Sequence, residues 1–186
     1  MNLNLGCGNK KIDGFVNVDN DPSVDPDVLV DLNSGILPFD SNSVDMIVAA
    51  HVLEHIGDGF IDLMKEIYRV CKHHSEIKII VPHSRSDSFI IDPTHVRHFL
   101  PQTFQLFDQD FNRYTIENNF SNSTFGLYLG VDFKITHLDL SINSLVKSHF
   151  ETLSEKEKEF LILTHYNIVE DIKIELLVNK CEYEYE

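Results

Sequence analysis

The stretch NLGCGNKKIDGFVNVDND, residues 4–21, decides the fold prediction for this chain. Gly6 and Gly8 follow a short apolar run, and Asp19 closes a second apolar run eleven positions after Gly8. Glycine allows a tight turn and close approach of a ligand to the backbone, so a glycine pair after a strand is typical of a nucleotide-type pocket. Only six residues separate Gly8 from the second run. That spacing is too short for the helix that holds a pyrophosphate in dinucleotide-binding folds. We therefore expect two strands joined by a short loop, with the first helix reduced.

Apolar runs along the rest of the first half predict a parallel sheet. The predicted strands are Asn2–Leu5, Phe15–Asp19, Val28–Leu32, Val44–Val52 and Ile77–Pro82. Between the last two strands, apolar residues recur at helical spacing over Asp58–Lys72, and we interpret Lys72, His73 and His74 as the basic C-terminus of that helix. A strand–helix–strand unit of this length favours a parallel crossover.

The second half predicts a helix near Pro101–Asp108, a strand over Phe133–Ile142, a helix from Ser154 to about Tyr166 and a strand over Asp171–Asn179. The whole pattern predicts one domain, residues 1–186, of the α/β class. We expect a mostly parallel sheet, flanked by helices, with an antiparallel last strand. Residues 83–132 are irregular in pattern, and we interpret them as an insertion in this domain.

Composition narrows the classes of partner. The chain has 186 residues, 42% of them hydrophobic, and a formal net charge of −15. Such a surface repels a phosphate backbone and suits a cationic small molecule, so we expect no nucleic acid partner. We find neither a signal peptide nor a transmembrane segment, and three cysteines do not form a disulfide framework, so we expect a soluble cytoplasmic protein without a membrane partner.

The compressed glycine turn favours S-adenosylmethionine over a dinucleotide. This cofactor has a ribose and an adenine but no pyrophosphate, and its sulfonium is cationic. Asp19 ends a strand and can accept hydrogen bonds from both ribose hydroxyls through its two carboxylate oxygens. Asp31 can accept from the adenine amino group, with Leu32 against the ring. The alternative for Asp31 is that it only caps a turn before Asn33.

Three segments together resemble the class I S-adenosylmethionine-dependent methyltransferases: LNLGCGNKKIDGFVNVDND, DLNSGILPFDSNSVDMIVAAHVLEHI and PHSRSDSFIIDPTHVRHF. The resemblance covers about residues 3–107 and is strongest to a small subgroup with a GCGNK turn and a DPTHV segment. It implies a Rossmann-like three-layer sandwich and methyl transfer to a small molecule, such as the hydroxyl or amine of a sugar or another metabolite. We expect the insertion at residues 83–132 to form the site of this acceptor. The cofactor-binding residues that it implies are Leu5, Gly6, Cys7, Gly8, Asp19, Asn20, Asp31, Leu32, Ala50 and His51.

The segment His51-Val-Leu-Glu54-His55 matches the H-x-x-E-H motif of inverted zinc proteases. On a helix, His51 and His55 would share one face and bind zinc, with Glu54 as the base. However, His51 directly follows a strand-like run, so we assign no metal site here. A zinc-dependent hydrolase stays an alternative function, and a non-catalytic protein that binds S-adenosylmethionine is a second alternative.

A further cluster of functional groups contains His83, Asp92, His95, Arg97 and His98 and follows the fifth predicted strand. Methyl transfer to a hydroxyl or amine needs a group that takes up a proton, and we predict His95 as this base, with His83 second. Asp92 would orient an imidazole, and Arg97 would hold an acceptor carboxylate or phosphate. Two alternatives stay open: a purely structural Asp-Pro-Thr-His turn, and a bound metal ion.

The Asn- and Phe-rich region Phe111–Asp132 either shapes the acceptor site or forms a homodimer contact, and the residues alone do not decide between these roles.

Overall fold

A computed structural model describes residues 1–180 of the chain, and Cys181 lies outside the described residues. The strands are Asn2–Leu5 (β1), Val16–Asp19 (β2), Val28–Leu29 (β3), Val44–Ala50 (β4), Cys71–Pro82 (β5), Phe133–Ile142 (β6) and Val169–Val178 (β7). The helices are Phe60–Val70 (α1), Asp87–Ile90 (α2), Pro101–Gln105 (α3), Gln109–Glu117 (α4), Phe125–Leu129 (α5), Ser144–Phe150 (α6) and Glu155–Thr164 (α7). No helix in this part of the chain is long and apolar enough to cross a membrane.

The sheet has seven strands in the order β3-β2-β1-β4-β5-β7-β6. Strands β1 to β5 pair in parallel, whereas β7 runs antiparallel to both of its neighbours, β5 and β6. The predicted α/β fold with a mostly parallel sheet and a reversed last strand is confirmed. Between β1 and β2 the described chain contains no helix, as the short spacing after the glycine pair predicts.

The core lies between the sheet and α1. Phe60, Leu63, Met64 and Ile67 on one face of α1 are at most 2% exposed and pack into the same apolar cluster as the β1, β4 and β5 residues. These positions recur at the spacing of one helical face, which is why the sequence alone located this helix. Burial of this stripe packs α1 onto one face of the sheet.

The predicted end of this helix is wrong. The helix stops at Val70, and Lys72, His73 and His74 belong to β5. Strand pairing explains the difference: Cys71 pairs with Val44 of β4, and the register then shifts before Glu76 pairs with Met46. The hydroxyl of Ser75 donates to the Val44 carbonyl oxygen at 2.7 Å. These contacts between distant segments extend β5 toward its N-terminus, and local basic residues give no sign of them.

Residues 83–132 contain more helix than the sequence pattern predicts. The short helices α2 to α5 lie here, and α4 begins at the Asp108 carboxylate, which accepts the amide hydrogens of Asp110 and Phe111. Phe99, Phe104 and Phe107 are at most 1% exposed and join the main core, with the Phe99 ring 5.5 Å from that of Phe60. This segment is therefore packed onto the domain through aromatic side chains. The Glu157 carboxylate accepts the Ser154 amide hydrogen at the predicted start of α7.

Candidate functional site

A cavity of about 520 Å³ opens where the parallel strands end. Ligands of open α/β sheets bind at this edge, beyond the carboxyl ends of the strands. The residues that line the cavity are Gly6, Gly8, Asp19, Asn20, Val30, Leu32, His51, Val52, His55 and Thr94. Six of them, Gly6, Gly8, Asp19, Asn20, Leu32 and His51, are predicted cofactor-binding residues, so the structure brings most of the predicted set together.

The glycine turn at the end of β1 leaves room that another residue would fill. Gly6 has a φ of +64°, and a Cβ atom there would lie 2.3 Å from Val52 Cγ2. Gly8 has a φ of +46°, and its amide donates a hydrogen bond to Asp19 Oδ2 at 2.8 Å. Both glycines therefore adopt a left-handed backbone that favours glycine. The turn is also tied directly to the acidic residue that ends β2.

Asp19 is held by backbone donors and keeps acceptor capacity toward the cavity. Its Oδ1 atom accepts the Asp21 amide hydrogen at 3.0 Å, and its Oδ2 atom accepts that of Gly8. A carboxylate oxygen can accept two hydrogen bonds, so each oxygen retains a site for a further donor. Two adjacent hydroxyls, as on a ribose, match this pair of free acceptor sites.

Asp31 is placed differently from the other predicted cofactor residues. Its carboxylate is exposed and accepts the Asn33 amide hydrogen at 2.9 Å, which caps the 3-10 turn Leu32–Ser34. It does not line the cavity, whereas Leu32 and Val30 on either side of it do. The turn cap is thus present, and the contact of Asp31 with an adenine amino group stays a prediction.

Leu5, Cys7 and Ala50 lie beside this cavity and not on its wall. Leu5 is fully buried in the core. Cys7 and Ala50 line a neighbouring cavity of about 550 Å³, which shares Gly6, Gly8 and His51 with the first one. Burial and the nearby Asp19 carboxylate raise the pKa of the Cys7 thiol, which agrees with a packed cysteine rather than a nucleophile.

The H-x-x-E-H segment does not form the helix that the zinc-protease arrangement requires. His51 directly follows β4 with a φ of +54°, and Leu53–His55 form a single 3-10 turn. The His51 amide donates to the Ile80 carbonyl oxygen, which fixes this left-handed residue at the cavity. The Nδ1 atom of His51 lies 3.6 Å from Glu54 Oε1, and the Glu54 carboxylate raises the pKa of His51.

His95, the predicted base, stands behind His55 at the cavity wall, with the two ring centroids 4.7 Å apart. Its Nδ1 atom lies 2.9 Å from the Phe89 carbonyl oxygen, and its Nε2 atom lies 4.0 Å from Glu54 Oε1. Asp92 Oδ2 lies 3.8 Å from the same Nε2 atom, and the role of Asp92 in orienting the imidazole stays a prediction. The predicted pair of Asp92 and His95 is therefore adjacent in space.

Arg97, His83 and His98 occupy structural positions outside the cavity wall. Arg97 donates to the carbonyl oxygens of Ile56 and Gly57, and its guanidinium lies 4.5 Å from the centre of the Phe60 ring. His83 is buried, and its Nδ1 atom accepts the Arg85 amide hydrogen. The His98 ring lies 4.2 Å from that of Phe89. The roles of Arg97 and His83 toward an acceptor stay predictions.

The sequence-based site lacks Val30, Val52, His55 and Thr94, all of which line the cavity. Val30 and Val52 are neighbours of predicted residues, and their positions just after β3 and β4 are the feature of the sequence that could identify them. His55 was visible only as part of the zinc motif. Thr94 reaches the cavity from a separate loop, and nothing in the local pattern indicates that contact.

A family model described as a methyltransferase domain matches residues 15–78 of this chain. No curated protein matches it. Among solved structures, an S-adenosylmethionine-dependent methyltransferase from Archaeoglobus fulgidus is 21% identical, with a TM-score of 0.60 over 95% of this chain and 85% of the other. The YcgJ protein from Bacillus subtilis is 13% identical, with a TM-score of 0.57 over 96% and 92%. A possible histamine N-methyltransferase from Thermotoga maritima is 13% identical, with a TM-score of 0.55 over 96% and 82%.

The fold is thus the Rossmann-like fold of S-adenosylmethionine-dependent methyltransferases. The matched domain supports the same enzyme class, and this class implies S-adenosyl-L-methionine as the cofactor. The residues present fit that group: the missing Cβ at Gly6 leaves space beside Val52, and Asp19 offers free acceptor sites to two hydroxyls.

Proposed function

We propose that the chain binds S-adenosylmethionine in the cavity beyond β1, β2 and β4 and transfers its methyl group to a small-molecule hydroxyl or amine. The single observation that carries this proposal is the hydrogen bond from the Gly8 amide to Asp19 Oδ2. It holds the Asp19 carboxylate, the group that would accept the ribose hydroxyls, next to the glycine turn, where a ligand can approach the backbone. The cofactor would lie across the glycine turn and the Asp19 carboxylate.

The apolar side chains of the cavity support a position for the adenine. Leu32 is 4% exposed and Val30 is half-buried, and both stand on the β3 side of Asp19. An adenine packed on these two side chains would bury apolar surface, and Asp31 would then be the nearest carboxylate to its amino group. The methionine end would point the other way, toward His51 and Val52.

The acceptor would enter at the wall formed by His51, His55 and Thr94. A lone pair on its oxygen or nitrogen attacks the methyl carbon, and the carbon–sulfur bond breaks with its electron pair going to sulfur. The products are the methylated acceptor, neutral S-adenosylhomocysteine and one proton. The chain mainly orients the two reactants for this in-line displacement. The base predicted from sequence, His95, packs against the His55 ring on the side away from the cavity.

The negative charge of the chain supports a small acceptor rather than a nucleic acid. With 30 acidic and 15 basic residues, the surface disfavours a phosphate backbone and does not oppose a cationic cofactor. A sugar hydroxyl or a metabolite amine is the class of acceptor we propose. The cytoplasm is the compartment we propose, because free S-adenosylmethionine must be available there to a protein of this class.

The test is a mass-spectrometric assay of the full chain with S-adenosylmethionine and a panel of sugars and small amines. The proposal predicts S-adenosylhomocysteine together with an acceptor product heavier by one methylene. The matched variants are Asp19→Asn and Asp13→Asn, since Asp13 is exposed and lines neither this cavity nor its neighbour. Product must fall sharply only in the first. Cofactor binding without turnover of any acceptor would instead favour the non-catalytic alternative.

A further inference from the structure

Glu54 is a buried carboxylate whose hydrogen-bonding capacity is unused. The residue is 0% exposed, and among residues 1–180 its two oxygens are the only buried side-chain nitrogen or oxygen atoms without a hydrogen-bond partner. Burial of a carboxylate without a partner costs free energy, and a bound cation or a hydrogen-bond donor would reduce this cost. His51 Nδ1 lies 3.6 Å and His95 Nε2 lies 4.0 Å from Glu54 Oε1.

Two imidazoles converge on this carboxylate. Glu54, His55 and His95 each offer one ligand atom, and these atoms lie within 4.8 Å of one another. They come from two segments, the 3-10 turn after β4 and the loop after α2. Those segments are joined by backbone hydrogen bonds, because the Glu54 carbonyl oxygen accepts the amide hydrogens of Val96 and Arg97 at 2.9 and 3.0 Å. The three ligand atoms are therefore held together by the fold.

The outer contacts of His95 leave its Nε2 atom as a lone-pair donor. The Nδ1 atom of His95 faces the Phe89 carbonyl oxygen at 2.9 Å, and a carbonyl can only accept, so Nδ1 carries the hydrogen. In the neutral ring the Nε2 atom is then unprotonated, and it lies 4.0 Å from Glu54 Oε1 and 3.8 Å from Asp92 Oδ2. A histidine that binds metal has this arrangement, with its other nitrogen donating to a carbonyl or carboxylate.

The same reasoning assigns the ring hydrogen of His55 to its Nδ1 atom. Asp92 Oδ1 accepts the Thr94 hydroxyl hydrogen at 2.7 Å, so Thr94 Oγ1 remains as an acceptor. His55 Nδ1 lies 2.9 Å from that oxygen and must donate to it. The Nε2 atom of His55 is left with a free lone pair. Phe89 is thus the outer contact of His95, and Thr94, held by Asp92, is that of His55, which leaves the Nε2 atom of each imidazole free to bind a cation.

From this arrangement we propose that Glu54, His55 and His95 form a binding site for one divalent transition-metal ion at the wall of the cofactor cavity. Two imidazole nitrogens and one carboxylate oxygen suit zinc, iron(II), cobalt or manganese rather than calcium or magnesium. Bonds of about 2.0–2.1 Å in tetrahedral geometry would draw the three atoms to about 3.3 Å from one another. The three atoms, now within 4.8 Å of one another, would have to move closer together by side-chain rotation.

The ion would have a free coordination position that faces the cofactor cavity. His55 and Thr94 line the cofactor cavity, so three protein ligands leave the remaining coordination free for water or for an oxygen of a bound molecule. This site differs from the zinc-protease arrangement of the same letters, because His95 replaces His51 and comes from a distant part of the chain. It does not depend on methyl transfer, and it can be tested with the metal alone.

The experiment uses the untagged full chain, stripped with a chelator and titrated with Co²⁺ and then with competing Zn²⁺. The proposal predicts one equivalent of Co²⁺ with visible d–d absorption bands, displacement by Zn²⁺, and a rise in Tm with bound metal. Changes to outer-shell residues typically weaken metal binding by about 10–100-fold, so loss of a direct ligand should weaken it by at least that factor. We therefore expect such a loss in Glu54→Gln, His55→Ala and His95→Ala, and a weakening of about 10-fold in Thr94→Val.

Two histidine variants serve as controls. His137→Ala removes an exposed imidazole on β6, and His74→Ala removes one ring of the adjacent pair His73 and His74, whose centroids lie 3.5 Å apart. Both must keep the bound equivalent. Circular dichroism confirms that each variant is folded, and Glu54→Gln is the variant most certain to fold because it relieves a buried charge. No binding at micromolar metal overturns the proposal. So does binding that survives Glu54→Gln and His95→Ala, or that disappears only in His74→Ala.

Discussion

The amide of Gly8 and the carboxylate of Asp19 are joined by a hydrogen bond of 2.8 Å, although the two residues lie on different strand ends. The bond closes the short loop that stands where a first helix would otherwise begin. Since β1 and β2 are adjacent and parallel, both strand ends reach the same edge of the sheet. The compressed loop therefore keeps the ribose acceptor beside the glycine turn without any help from a helix.

Gly6→Ala should damage both stability and cofactor binding. Its Cβ would lie 2.3 Å from Val52 Cγ2 in a backbone with φ of +64°, so we expect a loss of about 1–3 kcal/mol in the free energy of unfolding. Urea denaturation measures this loss. Gly130→Ala is the matched control, because Gly130 has a φ of +69° with nothing within 4 Å of its Cβ position. Equal losses of S-adenosylhomocysteine binding in the two variants would contradict the account.

Much of this site could be predicted from local sequence because its parts sit at strand ends. Gly6, Gly8 and Asp19 follow apolar runs, and parallel strands bring those ends together. The pairing of His95 with Glu54 joins residues 41 positions apart, and only the packed loop shows it. The start of β5 at Cys71 likewise depends on pairing with β4, which the pattern of one segment does not contain.

Lys134→Met should destabilise the fold by about 1–3 kcal/mol. The Lys134 ammonium lies 2.6 Å from Asp108, 2.7 Å from Asp110 and 3.0 Å from Asp132, and its removal leaves three carboxylates facing one another. Burial alone would lower the pKa of Lys134, but the hydrogen bonds to these carboxylates outweigh it and raise that pKa. Thermal unfolding is the measurement.

Lys65→Met is the control for this prediction. Lys65 pairs with Asp62 at 3.6 Å on the surface, where an ion pair contributes about 0–1 kcal/mol. A shift in Tm for Lys134→Met no larger than that for Lys65→Met would show that the three carboxylates are not held by this ammonium.

Cys71 should resist alkylation in the native protein. Burial raises the pKa of its thiol to about 12, so at pH 8 almost none of it is the reactive thiolate. Treatment with iodoacetamide, followed by peptide mapping, should find Cys71 unmodified until urea unfolds the chain. Modification of Cys71 at the rate of a free thiol under native conditions would contradict the buried position at the start of β5.

His83 should make the fold less stable in acid. Burial, and then the nearby Arg85 charge, lower the pKa of this imidazole in the folded state. In the unfolded chain the histidine pKa is about 6.5, so below that pH the unfolded state binds a proton more readily than the folded state. The free energy of unfolding is therefore highest above about pH 6.5 and decreases as the pH falls below it. Urea unfolding at pH 7.5 and 5.5 should show a smaller pH effect in His83→Gln. The same decrease in both proteins would exclude His83 as its source.

The most direct test of the central claim is calorimetric titration of the full chain with S-adenosylhomocysteine. We predict binding at one equivalent in the wild type, a loss of affinity of at least about 10-fold in Asp19→Asn, and unchanged affinity in Asp13→Asn, since each hydrogen bond to a charged group contributes about 1.5–3 kcal/mol. Absence of binding in the wild type, or equal affinities in Asp19→Asn and Asp13→Asn, would contradict it.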